Sequence, residues 1–126
     1  MPRKKCLSNS GKGWWLSSVI LLLIAEKSCH GYELVEKLKE FEIDLQGVGN
    51  IARVYTFLNM FEDSQYVKAD WDTSFSPPRK VYAITSKGIE QLSVIKNEMF
   101  AQKNLVELYI ERFSDLEKNN SHGKKL

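Results

Sequence analysis

Cysteine is scarce in this sequence. Cys6 and Cys29 are the only two, neither sits in a Cys-x-x-Cys pair, and neither lies at a zinc-binding spacing from a histidine. This argues against a disulfide framework and a structural zinc site, and it fits the reducing cytoplasm, which is the expected location. Histidine is equally sparse: His30 and His122 have no candidate catalytic company, and no phosphate-cradling glycine motif occurs. No catalytic residue, metal or cofactor is therefore expected, and His30, beside Gly31, reads as a packed or capping residue. Long hydrophobic runs are also missing. The apolar run 19–25, even counted back to Trp14, is about a dozen residues, short of the roughly 20 needed to span a bilayer. Glu26 and Lys27 follow at once without a small-residue cleavage pattern, so the run is expected to be a buried helix and no membrane partner is implied.

Net charge is small, +2 from 18 basic and 16 acidic residues, and does not by itself argue for nucleic acid. Its distribution says more. Residues 1–13 hold Arg3, Lys4, Lys5 and Lys12 and no acid, which leaves 14 basic against 16 acidic residues elsewhere, a balance of −2. A basic arm is thus joined to a nearly neutral body. At 126 residues and 43% hydrophobic, the chain is long enough for one domain with its own core, with room for an appended helix.

The centre of the pattern is the stretch 49–63, Gly-Asn-Ile-Ala-Arg-Val-Tyr-Thr-Phe-Leu-Asn-Met-Phe-Glu-Asp. At about 100° per residue, Ile51, Val54, Leu58 and Phe61 fall on an inner side, with Arg53, Tyr55, Thr56, Asn59 and Met60 outside. Arg, Asn and Thr hydrogen-bond base edges and phosphates, so this outer side is a candidate for a nucleic acid groove, although the same residues also make an ordinary solvated face. Before it, residues 14–27 form a first helix that is apolar nearly all round. Ser28 is then expected to cap a second helix over 29–42, with Tyr32, Leu34, Val35, Leu38 and Phe41 as its buried stripe. Gly31, expensive inside a helix, suggests close approach of another backbone.

After Asp63 the period becomes alternating over 66–72 and again over 79–84, which predicts a two-stranded hairpin with Pro77 and Pro78 confined to its tip. Thr85 is expected to cap a last, long helix. It keeps a heptad rhythm, Leu92, Met99, Val106 and Phe113 in one position and Ile95, Gln102, Tyr109 and Leu116 in another, and all of these but Gln102 are apolar. Such a seam on a lone helix implies a partner.

Three helices, a hairpin and a long terminal helix describe a mainly α chain with a small β-hairpin: a winged helix-turn-helix with a C-terminal dimerisation helix. The expected organisation is a flexible basic arm (1–13), a winged-helix DNA-binding domain (14–85), the dimerisation helix (86–117) and a flexible tail (118–126). Over roughly residues 19–113 the sequence resembles the PadR-like transcriptional regulators. Three motifs carry the resemblance: His30-Gly31-Tyr32-Glu33-Leu34; Val54-Tyr55 with Leu58, Phe61-Glu62 and Tyr66-Val67; and Trp71, Pro78-Arg79-Lys80, Tyr82, Ile84-Thr85 and Gly88. The resemblance implies a homodimer that binds a pseudo-palindromic operator, usually as a repressor, with the third helix in the major groove and the wing along the backbone. Tyr55 is then the groove-facing tyrosine, and Arg79 and Lys80 the wing's basic pair. The chain departs from the family pattern at Ala52 and Arg53, at Thr56, at Gln65 where glycine usually ends the helix, and in the wing tip 74–77.

The candidate DNA-binding residues are Asn50, Arg53, Tyr55, Thr56, Asn59, Lys68, Arg79 and Lys80. The candidate dimerisation residues are Leu92, Ile95, Met99, Gln102, Val106, Tyr109 and Phe113. The expected partners are double-stranded DNA and a second copy of the chain. The alternative reading is a dimeric effector- or protein-binding winged-helix protein with weak or no DNA binding, whose effector would lie at the dimer interface among Trp14, Trp15, Phe100 and Tyr109.

Overall fold

The computed structural model describes residues 11–45 and 48–120. In chain order the elements are α1 (Gly11–Glu26), β1 (Cys29–His30), α2 (Gly31–Lys37) extended by a 3-10 turn (Leu38–Phe41), α3 (Val48–Asp63), β2 (Val67–Asp72), β3 (Arg79–Ile84) and α4 (Ser86–Asn120). The three strands form one antiparallel sheet in the order β1-β3-β2. The fold is the expected winged helix with a long C-terminal helix. The chain divides into two compact units, one ending at Val94 and the other starting at Ile95.

The first unit is built around α1. Leu16, Val19, Ile20, Leu21, Leu23 and Ile24 are all buried, as a helix apolar nearly all round requires. Leu34 and Leu38 from α2, Val54, Phe57, Leu58 and Phe61 from α3, and Val67 and Tyr82 from the sheet complete the core. Each fully buried Leu, Ile or Phe adds about 1.5–3 kcal/mol. Helix α1 begins at Gly11, three residues before the expected start. A Cβ on Gly13 would meet Phe57 at an ordinary 4.0 Å, so the helix continues past a glycine that reads as a break. The rest of the expected arm, residues 1–10, and part of the expected tail, residues 121–126, lie outside the described residues.

Three expectations are corrected at α2. Residues 29 and 30 are not helical but extended: Cys29 pairs with Tyr82 and His30 with Val81, giving the sheet a third strand. The helix cap is His30 rather than Ser28, because Glu33, three residues on, takes the His30 backbone N–H at 2.7 Å. Tyr32 does not join the buried stripe. It lies two residues, about 200° of helix, before Leu34, and it is 49% exposed. On α3, likewise, Ile51 is exposed in the first turn and Phe57 is buried in its stead.

The end of α3 has Schellman geometry. The Tyr66 N–H donates to the Phe61 carbonyl (2.8 Å), the Gln65 N–H donates to Glu62 (3.0 Å), and the Tyr66 and Phe61 rings lie 6.3 Å apart. Gln65 takes the left-handed conformation this turn requires, at φ 66°. Glu42 does the same after α2, at φ 59°. The turn also anchors the start of α4. The Thr85 N–H donates to the Tyr66 carbonyl (3.0 Å), its hydroxyl donates to the Gln65 carbonyl (2.7 Å), and that hydroxyl accepts the Gly88 N–H (3.0 Å), so Thr85 is the expected cap. Gly88 has no room for a side chain: a Cβ there would stand 2.2 Å from the Tyr66 carbonyl oxygen.

Two stability changes of opposite sign follow from this joint. Gln65→Gly relieves a left-handed non-glycine residue costing about 1–2 kcal/mol, less the freedom glycine adds to the unfolded chain, and should raise Tm by a few degrees. A melting curve at or below that of the wild type would show that the left-handed cost is not the governing one. Gly88→Ala gains helix propensity but forces Cβ onto a backbone carbonyl that cannot move aside. It should lose about 2 kcal/mol, a Tm drop of roughly 10 °C, and wild-type melting would contradict the close contact.

Candidate nucleic-acid interface

The candidate residues of α3 all face solvent. Asn50, Arg53, Tyr55, Thr56 and Asn59 are exposed, while Val54 and Leu58 between them are buried. At about 100° per residue, Thr56 and Asn59 stand furthest from the core, with Tyr55 and Arg53 on opposite flanks. The Thr56 hydroxyl donates to the Ala52 carbonyl at 3.0 Å, which leaves its oxygen lone pairs outward. Tyr55 leans back onto α2. A Cβ on Gly31 would come within 2.7 Å of its ring, so Gly31 makes room for a side chain and not, as expected, for another backbone.

The wing is the β2–β3 hairpin, in register from Val67 opposite Ile84 to Asp72 opposite Arg79, with both prolines in the loop 73–78. Its two cations are held differently. The Arg79 guanidinium lies between two rings, 4.6 Å from the centre of Tyr32 and 4.1 Å from that of Phe75, and donates to the Tyr32 hydroxyl. Stacking occupies its faces and leaves in-plane N–H groups at its edge. Lys80 is paired with Glu62 of α3 at 3.4 Å and stands 5.9 Å from the centre of its cross-strand neighbour Trp71. Wing and third helix are thus tied by an ion pair that spans them.

A third tie lies at the tip of the wing, where β2 enters its loop. The His30 ring faces Glu33 through Nδ1 (2.9 Å) and Asp72 through Nε2 (3.2 Å), and it packs edge-on against Phe75. The Glu33 carboxyl is held below the usual carboxylate range, first by the His30 backbone N–H and then by the ring. The Asp72 carboxyl is lowered first by the Ser74 hydroxyl and backbone N–H, with His30 adding less. His30 is therefore a cap and a strut, as the expectation of a packed or capping residue had it.

Between α3 and the wing opens a crevice of about 490 Å³. Tyr55 and Asn59 line it from the helix, Trp71, Arg79, Lys80 and Tyr82 from the sheet, and Tyr32 from α2. Burial, then Glu62 and Tyr55 nearby, push the Tyr82 hydroxyl above its usual range, so it stays protonated. Four of the eight candidate DNA-binding residues, Tyr55, Asn59, Arg79 and Lys80, meet here. Arg53, Thr56, Asn50 and Lys68 are not among its lining residues. Tyr32, Trp71, Phe75 and Glu62 were missed as parts of this surface. For Trp71 a signal existed: Val67, Ala69 and Trp71 alternate on the strand face that is buried at Val67.

Comparison with known proteins agrees with this architecture. Residues 20–94 match the model of the Transcriptional regulator PadR-like family. The chain is 31% identical over 97 residues to an uncharacterised protein of Lysinibacillus sphaericus, covering 76% of this chain and 88% of that protein. Among solved structures, it is similar to a conserved protein described as a potential transcriptional factor, at 42% identity and TM-score 0.75, with 86% of this chain and 98% of the other covered. It is also similar to a PadR-like transcriptional regulator from Bacillus cereus, at 27% identity and TM-score 0.64, covering 75% and 90%. Among the described residues there is no group of acidic, histidine or cysteine side chains able to hold a metal ion, and no helix long and apolar enough to cross a membrane. On its matched residues and its fold alike, this chain belongs to the PadR-like family of transcriptional regulators, which are not enzymes.

Proposed function

We propose that this chain is a homodimeric, sequence-specific DNA-binding repressor that acts in the cytoplasm, with α3 in the major groove and the β2–β3 wing on the backbone. The observation that carries the reading is the juxtaposition of Asn59, on the outer face of α3 that it shares with Thr56, with Arg79 and Lys80 on a wing tied to that helix through Glu62. Amide and hydroxyl groups read base edges, whereas cations take phosphates. Arg53 on the far flank of α3, Asn50 at its start, Tyr55 towards the wing and Lys68 on β2 extend the proposed contact surface. The repressor sign follows the family resemblance, in which an occupied operator blocks transcription.

The dimer rests on the second unit. Val106, Tyr109, Phe113 and Leu116 are 55%, 76%, 46% and 47% exposed, with Leu105 and Leu108 beside them. An apolar seam of this length left to water favours a second copy of the same helix. Met99 and Gln102 are half-buried, and Leu92 likewise. Ile95 is only 3% exposed within the single chain, so it offers a partner little surface, and the proposed seam runs from Met99 onwards. The effector-binding alternative draws on Trp14 and Trp15, but Trp14 is buried in the core and Trp15, 41% exposed, packs edge-on against Phe41 at 6.2 Å within its own unit.

Affinity for a genome-selected operator and for a scrambled duplex, measured across a salt series, separates the roles. Asn59→Ala should weaken operator binding by about 1–3 kcal/mol and relax sequence preference. Arg79→Ala should weaken both duplexes about equally and lower the salt slope by roughly one unit. If both variants bind both duplexes as the wild type does, DNA reading by this surface is wrong. Val106→Glu with Phe113→Glu places charges against the partner helix at a cost of several kcal/mol and should convert the sedimenting dimer to monomer without loss of helix. A double variant that still sediments as a dimer would put the interface elsewhere.

A further inference from the structure

Trp71 is out of place for the strand face it occupies. Val67, Ala69 and Trp71 share one face of β2, opposite Ile84, Tyr82 and Lys80 on β3, and this is the face turned into the core, where Val67 and Tyr82 are buried. Trp71 nevertheless remains 65% exposed. The hairpin runs past the edge of the core, so the indole overhangs the crevice beside α3 with Lys80 next to it and Tyr55 and Asn59 opposite.

The chemistry of that crevice restricts its occupant. A simple anion would engage Arg79 and Lys80 but leave the indole face uncovered. A purely apolar molecule would cover the indole but take Arg79, which has no acidic partner among the described residues, out of water with its charge uncompensated. Glu62 neutralises part of Lys80, and Arg79, its faces stacked and one edge N–H given to the Tyr32 hydroxyl, keeps further edge N–H groups and supplies the net positive charge. What suits all of these is a strand in which anionic groups alternate with small, weakly polar rings. We infer that the crevice holds one segment of the sugar-phosphate backbone of duplex DNA, with a deoxyribose against the Trp71 indole and its flanking phosphate on Arg79 and Lys80. This rests on the DNA-binding reading and adds a contact residue that it lacked. A backbone held there runs along the Tyr55 flank of α3 and turns base edges towards Asn59 and Thr56. Trp71 thus sets the register of the helix without reading bases itself.

The test uses the full chain and a mixed-sequence duplex of about 30 base pairs at low salt, where phosphate contacts alone support binding. Tryptophan emission is compared between wild type and Trp71→Phe, the difference being the Trp71 signal. That signal should change on adding duplex. Trp71→Ala should weaken binding about tenfold on any duplex sequence, while Trp71→Phe keeps most of the affinity. Because indole carries no charge, the salt slope of Trp71→Ala should equal that of wild type, unlike that of Arg79→Ala. Thermal melting of Trp71→Ala should match wild type, since the side chain is largely in water. Duplex binding by the wild type with a silent Trp71 signal and wild-type affinity in Trp71→Ala would overturn this inference and leave the DNA-binding reading standing. No duplex binding at all would overturn both. A Trp71 response to deoxyadenosine monophosphate without one to duplex would also overturn it, and would make the crevice a small-molecule site.

Discussion

The left-handed turn at Gln65 is the constraint on which the arrangement of this protein depends. It ends α3 by a Schellman pair of hydrogen bonds, stacks Tyr66 near Phe61, and releases the chain in the direction that lets Val67 enter the sheet opposite Ile84. The carbonyls it exposes, of Gln65 and Tyr66, are then taken by Thr85, the cap of α4. A single turn thereby sets the end of the third helix, the start of the wing and the start of the long helix. Carbonyls of a turn left without donors cost free energy, and here the donor is Thr85, 20 residues beyond Gln65. This explains why Gly88 tolerates no Cβ: it sits where α4 is drawn against the Tyr66 carbonyl.

Beyond Val67 and Tyr82, which sit in the core, the wing is attached to the helices through polar and aromatic groups. His30 spans Glu33 and Asp72, Arg79 lies between Tyr32 and Phe75, and Lys80 reaches Glu62. Individually, such part-exposed pairs are worth little. Their effect is geometric. Arg79 and Lys80 are long side chains with much rotamer freedom, and both are already restricted before any ligand arrives, so less ordering remains to oppose binding. The same contacts couple the wing to α2 through Tyr32 and to α3 through Glu62, so that the two parts of the proposed DNA surface cannot move independently without breaking them.

The crevice between them shows how a nearly neutral protein can present a local positive site. The overall balance is +2, but the cations of the wing stand beside aromatic rings, with acidic partners placed behind or between them. Aromatic surfaces displace water around a guanidinium and lower the local dielectric, which strengthens attraction to an anion at its edge. Net charge therefore says little about this surface, and the placement of a few groups says most.

Much was legible in the sequence because it depended on periodicity and local chemistry. The 3.6-residue spacing of Val54, Leu58 and Phe61 marked α3, and the alternation over 66–72 and 79–84 marked the hairpin. The adjacent prolines marked its tip, and Thr85 marked the cap of α4. Gln65 was recognisable as the left-handed residue because the family pattern has glycine there. What only the tertiary structure decided lay in contacts between distant segments. A two-residue strand at Cys29–His30 has no period to detect and exists because Tyr82 and Val81 offer it hydrogen bonds. The outward turn of Tyr32 follows from a helix that starts two residues later than Ser28 would place it, and that start depends on Glu33 capping His30. The exposure of Trp71 depends on how far the hairpin runs beyond the core. Periodicity is a property of one segment and can be read from it, whereas register, overhang and pairing belong to two segments at once and are set only when the chain has folded.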